Sequence, residues 1–184
     1  MIIDIDHPEF PSAINPIASH SKIANFYKYR PPYTVDFFSQ LSAKLKSGTN
    51  TDFLDLCCGR GELASGMSSY SNKIYAVDGS KEMLSNSIPK NNVTYSLADV
   101  NNDELIFTEQ VDHFLIGSAI HWIEQKALKR IIDSYLKTNG TVVITHPSFR
   151  FYTEEFSKAL ARLNARFGKD RASANLLGGN KLKQ

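Results

Sequence analysis

The sequence predicts an α/β domain built on a doubly wound parallel sheet of about five strands. Three observations carry that prediction. Short apolar runs recur along the chain, and each is followed by a turn and then by apolar residues at helical spacing. The first run, Phe53 to Leu56, passes through Gly59-Arg60-Gly61 straight into a helical pattern. A length of 184 residues suits one domain able to bury a sizeable core.

The elements follow in order. Residues 1–20 carry Pro8, Pro11 and Pro16 without any period and read as an irregular arm. Residues 21–29 suggest a short helix stopped before Pro31-Pro32. Val35, Phe38, Leu41 and Leu45 recur at spacings of three and four, predicting a helix over 33–47 with Gly48 as its C-cap. Strands and helices then alternate. Strands are expected at 52–57, 73–78, 93–98, 111–117 and 141–146. Helices are expected at 61–69, after the capping Ser80, and at 122–137, with a weaker helical segment at 102–109. Residues 152–167 predict one further helix with Phe156, Leu160, Leu163 and Phe167 on one face, and a polar tail follows to residue 184. The domain is expected to occupy 21–150, with 151–184 as a helix and tail.

Composition narrows the class. Hydrophobic residues make up 42% of the chain and the formal net charge is +2, too little to argue for nucleic acid. The chain has no apolar run of about 18 residues, the length a membrane span needs. Met1 to Asp6 lacks the basic and apolar regions of a signal peptide. The two cysteines, Cys57 and Cys58, are adjacent and cannot staple distant segments. Together these features predict a cytoplasmic protein. No His/Cys cluster has zinc-ligand spacing, so no metal is expected.

The glycine turn points to a nucleotide-like cofactor, because backbone N–H groups and a helix start face the ligand. Gly59-Arg60-Gly61-Glu62-Leu63-Ala64 fits the dinucleotide fingerprint G-x-G-x-x-G/A. Asp55 separates two candidate cofactors. A carboxylate there would repel a pyrophosphate and suit a ligand carrying an ammonium or sulfonium. Asp78 ends the second strand, 19 residues beyond Gly59 (78 − 59), where an acid accepts hydrogen bonds from a ribose diol.

Asp55, Cys57, Gly59 and Gly61 resemble motif I of the class I S-adenosylmethionine-dependent methyltransferases, acidic-x-Gly-x-Gly-x-Gly, with Cys57 at the position of the first glycine. The resemblance covers about 22–150 and implies a Rossmann-like fold with S-adenosylmethionine as cofactor. It implies that Asp78 and the adjoining Gly79 meet the ribose. It also implies that Asp99 meets the adenine amino group, and that Val100 and Met83 pack near the ring. Gly117-Ser118-Ala119-Ile120-His121-Trp122 is similar to the corresponding segment of the type 11 group, which includes relatives of trans-aconitate methyltransferase. That similarity sets Ser118 at the cofactor crevice and makes His121 the candidate that orients substrate or accepts a proton. His146, before Pro147, is a second candidate on the substrate side. Tyr27 to Tyr33 resembles the N-terminal segment of the same group, implying that Tyr29 and Arg30 contact the methionine end of the cofactor.

The expected reaction is methyl transfer to a small-molecule acceptor, a carboxylate or hydroxyl. Two alternatives stand beside it: a degenerate or truncated cofactor-binding domain, and an NAD-dependent oxidoreductase. The family closes its sheet with a C-terminal hairpin, and no strands six and seven are legible here. The edge of strand five is therefore expected to attract a second copy of the chain.

Overall fold

The computed structural model describes Ala24, Tyr27, Arg30 and residues 32–146. The expected helix at 152–167, the whole of the 1–20 arm, Tyr29 and most of the 21–29 segment lie outside the described residues. The ordered elements are α1 (Val35–Leu45), β1 (Asp52–Leu56), α2 (Glu62–Met67), β2 (Lys73–Asp78), α3 (Lys81–Ser85), β3 (Val93–Leu97), β4 (Val111–Gly117), α4 (Gln125–Tyr135) and β5 (Leu136–Thr145). Single 3₁₀ turns follow α2, at Ser68–Tyr70, and β4, at Ile120–Trp122. Five strands form one sheet in the order β3-β2-β1-β4-β5, and every neighbouring pair is parallel.

The central strands are apolar on both faces because both faces are covered. Phe53, Ile74, Ala76 and Leu115 point to one side, against Phe38 of α1 and Leu63, Ala64 and Met67 of α2. Leu54, Leu56, Val77, Phe114 and Ile116 point to the other, in the same cluster as Ala127 and Ile131 of α4. Phe53 and Phe114 are fully buried, each contributing about 1.5–3 kcal/mol relative to exposure.

Three local expectations are corrected. Lys46, not Gly48, is the left-handed C-cap of α1, with φ 54° and its N–H on Ala43 and Ser42 carbonyls. Ser47 closes the same turn through its N–H to the Ser42 carbonyl at 3.0 Å. No helix forms over 102–109. Side chains there compete for the backbone: Asp103 accepts from the Asp99 N–H at 2.7 Å, and the Asn101 amide reaches the Trp122 carbonyl at 2.9 Å. The segment still enters the core, with Phe107 stacked on Tyr75 at 4.2 Å. Finally, β5 starts at Leu136 rather than Thr141 and takes up the end of the expected 122–137 helix. Leu136 pairs with Val111, and the register slips before Thr141 meets His113.

At the amino ends of the strands, Asp112 accepts from the Asp52 N–H and the Lys137 ammonium, both at 2.9 Å. Burial alone would raise its carboxyl pKa, but these two partners outweigh burial and hold it below the usual value. A cavity of about 490 Å³ opens at this end beside Thr51, His113 and Lys137. It contains none of the cofactor-site candidates.

Candidate cofactor site

Strand order reverses between β1 and β4, so the crevice of this sheet lies beyond their carboxyl ends. The chain is bent sharply at that point. Cys57 after β1 and Ser118 after β4 both take positive φ, 53° and 54°, and Gly59 and Gly61 follow at 60° and 82°. Hydrogen bonds hold the turn. The Cys58 N–H donates to the Val77 carbonyl at 3.0 Å, and the Gly61 N–H donates to the Cys58 carbonyl at 2.9 Å. The Ser118 N–H donates to the Thr145 carbonyl at 2.7 Å.

The two glycines serve different ends. A Cβ on Gly61 would strike the Tyr95 ring, with Tyr95 Cε1 at 2.7 Å, so this residue is small to pack. A Cβ on Gly59 would meet nothing within 4 Å, so this backbone faces open space where a ligand can approach. Cys57 stands where the family motif has glycine, and its left-handed φ explains that preference. A non-glycine residue pays about 1–2 kcal/mol there. Cys57→Gly is therefore expected to change stability by less than about 1 kcal/mol, since glycine's extra unfolded-state entropy offsets the relieved strain. The β-branched Cys57→Val is expected to cost more than about 2 kcal/mol. Thermal melts of the two variants check the ordering.

The Asp78 carboxylate braces the turn. Oδ2 accepts from the Gly59 N–H and Oδ1 from the Ser80 N–H, each at 2.8 Å, and Gly79 lies between these contacts. Ser80 Oγ in turn caps α3 by accepting from the Met83 N–H at 3.2 Å. The Asp99 carboxylate accepts from the Asn101 N–H at 3.0 Å and the Asn102 amide at 2.8 Å. It is half-buried just past β3. Asp55, Asp78 and Asp99 thus follow one another across three adjacent strands. Their fields converge on Cys57, whose thiol is pushed up to about 12, first by burial and then by Asp78, Asp55 and Asp99.

Not every expected contact lies on the crevice wall. Asp55 is 1% exposed, and its Oδ2 accepts from the Ala64 N–H at 3.1 Å beneath the turn. Its Oδ1 is buried without a partner. Burial, opposed by that N–H and reinforced by Asp78 and Glu62, raises its pKa to about 8. Asp55 supports the glycine turn from below rather than presenting a charge to solvent. Val100 and Met83 are likewise buried, at 3% and 1% exposure, Val100 within the core cluster under α4.

On the substrate side, Ser118 is half-buried at the β4 end, and His121 is exposed on the 3₁₀ turn with its ring 4.5 Å from that of Trp122. His146 is exposed one residue beyond β5. The Arg30 guanidinium lies over the Tyr27 ring at 4.1 Å, and the Arg30 N–H donates to the Tyr27 carbonyl at 3.0 Å. Burial raises the Tyr27 pKa, Arg30 opposes it, and Asp78 and Glu62 add to it. Sequence reasoning missed Tyr33, whose hydroxyl bonds Thr145 Oγ1 at 3.1 Å beside the crevice. The only signal for it was its place at the end of the Tyr27–Tyr33 segment.

A glycine turn at the switch point of a parallel sheet, with carboxylates at the strand ends around it, is the arrangement of an α/β domain that holds a nucleoside cofactor. Comparison with known proteins agrees. A family described as a methyltransferase domain matches residues 53–140. A probable S-adenosylmethionine-dependent methyltransferase of Saccharomyces cerevisiae is 26% identical over 148 residues, 74% of this chain and 49% of that protein. The chain thus spans about half the length of this curated relative. A candidate type II methyltransferase of Anaeromyxobacter dehalogenans superposes with a TM-score of 0.60 at 20% identity, covering 77% of this chain and 59% of that one. A methyltransferase of Thiobacillus denitrificans, in complex with S-adenosylhomocysteine, superposes at 0.56 with 18% identity, covering 84% and 70%. These superpositions establish the shared fold.

Proposed function

We propose that this domain binds S-adenosylmethionine at the β1–β4 crevice and transfers its methyl group to a small-molecule carboxylate or hydroxyl. The observation that carries the reading is the pair of carboxylates, Asp78 and Asp99, at the ends of adjacent strands beside the glycine turn. That field favours a cationic sulfonium and disfavours the pyrophosphate of NAD. When bound, the sulfonium supplies an already activated methyl group. The residues present suit it: Gly59 offers open backbone, Asp78 stands at the end of β2 for a ribose diol, and Asp99 stands one strand further for the adenine amino group. Cys57, Gly61 and Gly79 shape the wall, and Tyr29 and Arg30 are proposed at the methionine end.

The chain's own task is then largely placement. Ser118 and His121 at the β4 end would hold the acceptor oxygen about 3 Å from the methyl, and a dry crevice would favour the charge-dispersed transition state. A carboxylate acceptor is already ionised and needs no base. A hydroxyl acceptor would give its proton to His121.

We further propose 21–150 as the functional domain in a cytoplasmic protein. Among the described residues both cysteines are free, and no helix is long and apolar enough to cross a membrane. Among the described residues only β4 pairs with β5, and a second copy on the outer edge of β5 is the proposed macromolecular partner.

Calorimetry with S-adenosylmethionine, S-adenosylhomocysteine and NAD tests the cofactor. Micromolar binding of the first two and none of NAD is expected, and the reverse pattern would revive the oxidoreductase reading. Release of S-adenosylhomocysteine on incubation with a panel of small carboxylic acids and alcohols tests turnover. Because the chain spans about half of its curated relative, binding without release would favour the cofactor-binding domain over the enzyme.

A further inference from the structure

We infer that Asn101 is a positioning residue, whose side-chain amide clasps the 3₁₀ turn that carries His121 and couples that turn to cofactor bound at Asp99. The inference rests on the cofactor reading above and adds to it the side chain that links the two ends of the crevice.

Its ground is a chain of hydrogen bonds that runs from one strand end to another. The Asn101 N–H donates to Asp99 Oδ1 at 3.0 Å. Asn101 Nδ2 donates to the Trp122 carbonyl at 2.9 Å, and Asn101 Oδ1 accepts from the Glu124 N–H at 2.8 Å. A carbonyl can only accept and a backbone N–H can only donate, so the two partners fix which way the amide points. Asparagine suits the place because it offers one donor and one acceptor on a short stem. Glu124 is the N-cap residue of α4, and its N–H is the donor that a capping box would satisfy from within the helix. Ala127 holds the position from which a helix side chain would reach back, so Asn101 does this from outside.

The sheet order gives the clasp its meaning. Strands β3 and β4 are not neighbours, because β2 and β1 lie between them, and three inter-strand spacings measure about 14 Å. No strand pairing therefore holds the loop of Asp99 to the turn of His121. Asn101 joins the two directly. Arg130 of α4 supports the same loop, donating to the Val100 carbonyl at 3.0 Å and the Asp103 carbonyl at 3.2 Å. A shift of Asp99 toward an adenine amino group is passed through Asn101 to the residue that follows His121.

Trp122 makes this measurable. It is the one tryptophan of the chain and lies half-buried against the core cluster, so its fluorescence reports on this turn. The test is acrylamide quenching of Trp122, with and without saturating S-adenosylhomocysteine, in wild type, Asn101→Asp and Asn101→Ala. Calorimetry establishes saturation, and a thermal melt accompanies each variant. Asn101→Asp keeps an acceptor for the Glu124 N–H and loses the donor to the Trp122 carbonyl, whereas Asn101→Ala loses both. Ligand is expected to lower quenching about twofold in wild type and to leave it unchanged in both variants. Without ligand, quenching should be about twofold higher in both variants than in wild type. Asn101→Asp should melt within about 2 °C of wild type, because the cap survives. A ligand response in Asn101→Asp as large as in wild type would leave Asn101 a helix cap only and overturn the inference. So would a wild type that binds ligand without any change at Trp122, or ligand-free quenching that is equal in wild type and Asn101→Asp. If calorimetry finds no binding to wild type, the cofactor reading fails and the coupling falls with it, while the ligand-free comparison still reads the clasp.

Discussion

Asp78→Ala is expected to weaken S-adenosylmethionine binding between ten- and a hundredfold while the chain stays folded. The carboxylate holds two parts of the site at once. Oδ2 fixes the Gly59 N–H on the open side of the turn, and Oδ1 fixes the Ser80 N–H that starts α3, both at 2.8 Å. A carboxylate at this strand end is the acceptor a vicinal diol needs. Alanine removes two charge-assisted bonds and the charge that completes the acidic rim. Part of that loss falls on the ligand, and tenfold corresponds to about 1.4 kcal/mol. Stability should fall less, because the core beneath β2 is intact, with Ile74, Ala76 and Val77 almost fully buried. Asp78→Asn should lie between the two, since its amide can accept one N–H but must turn a donor toward the other. Calorimetry with S-adenosylhomocysteine measures the series. An unchanged affinity in a folded Asp78→Ala variant would remove this residue from the site.

That argument uses a residue legible in the sequence, and the reason generalises to much of the fold. Strands β2 and β4 begin and end at the expected residues, Lys73–Asp78 and Val111–Gly117. Strands covered on both faces are written as continuous apolar runs, so their limits are where polarity returns. The glycine turn was legible for a similar reason: its backbone chemistry is local, and the positive φ of Cys57, Gly59 and Gly61 is confined to five residues.

What escaped depends on partners distant in sequence. The 102–109 segment carries helix-compatible spacing, but Asp99, Asn101 and Asp103 offer its backbone other bonds, and Phe107 is drawn to Tyr75 and Tyr135. Leu136 joins β5 because Val111 lies beside it, a pairing no local period announces. Tyr33 matters through Thr145, more than a hundred residues away. Asp55 is the instructive case for the site. Its place in the motif was plain, but its burial was not, and burial changes it from a charge facing the ligand into a support beneath the turn.

Asp55 also leads to the second large effect, a variant that is more stable than the parent. The Asp55 carboxyl ordinarily titrates at 3.8, and in the fold burial, with Asp78 and Glu62 nearby, raises it to about 8. The unfolded chain therefore gives up this proton at lower pH than the folded one. Below pH 4 both states are protonated and the group costs the fold nothing. As pH rises from about 4 to about 8, the unfolded state alone gains the ionised form, and stability falls by up to about 1.4 kcal/mol per pH unit. Above about pH 8 the folded carboxyl ionises too, and the loss levels off. Asp55→Asn removes this titration and keeps an oxygen for the Ala64 N–H. Its amide donors replace an oxygen that is already buried without a partner, which returns about 1–3 kcal/mol of the gain. The variant is expected to be more stable than wild type at pH 8 by a few kcal/mol, with the advantage vanishing or reversing at pH 4. Denaturant unfolding at the two pH values measures it, and equal stability differences at both would show that Asp55 is ionised in the fold. If the stabilised variant also binds S-adenosylmethionine more weakly, the buried acid is a stability cost retained for the cofactor, the trade expected where a fold strains its own active site.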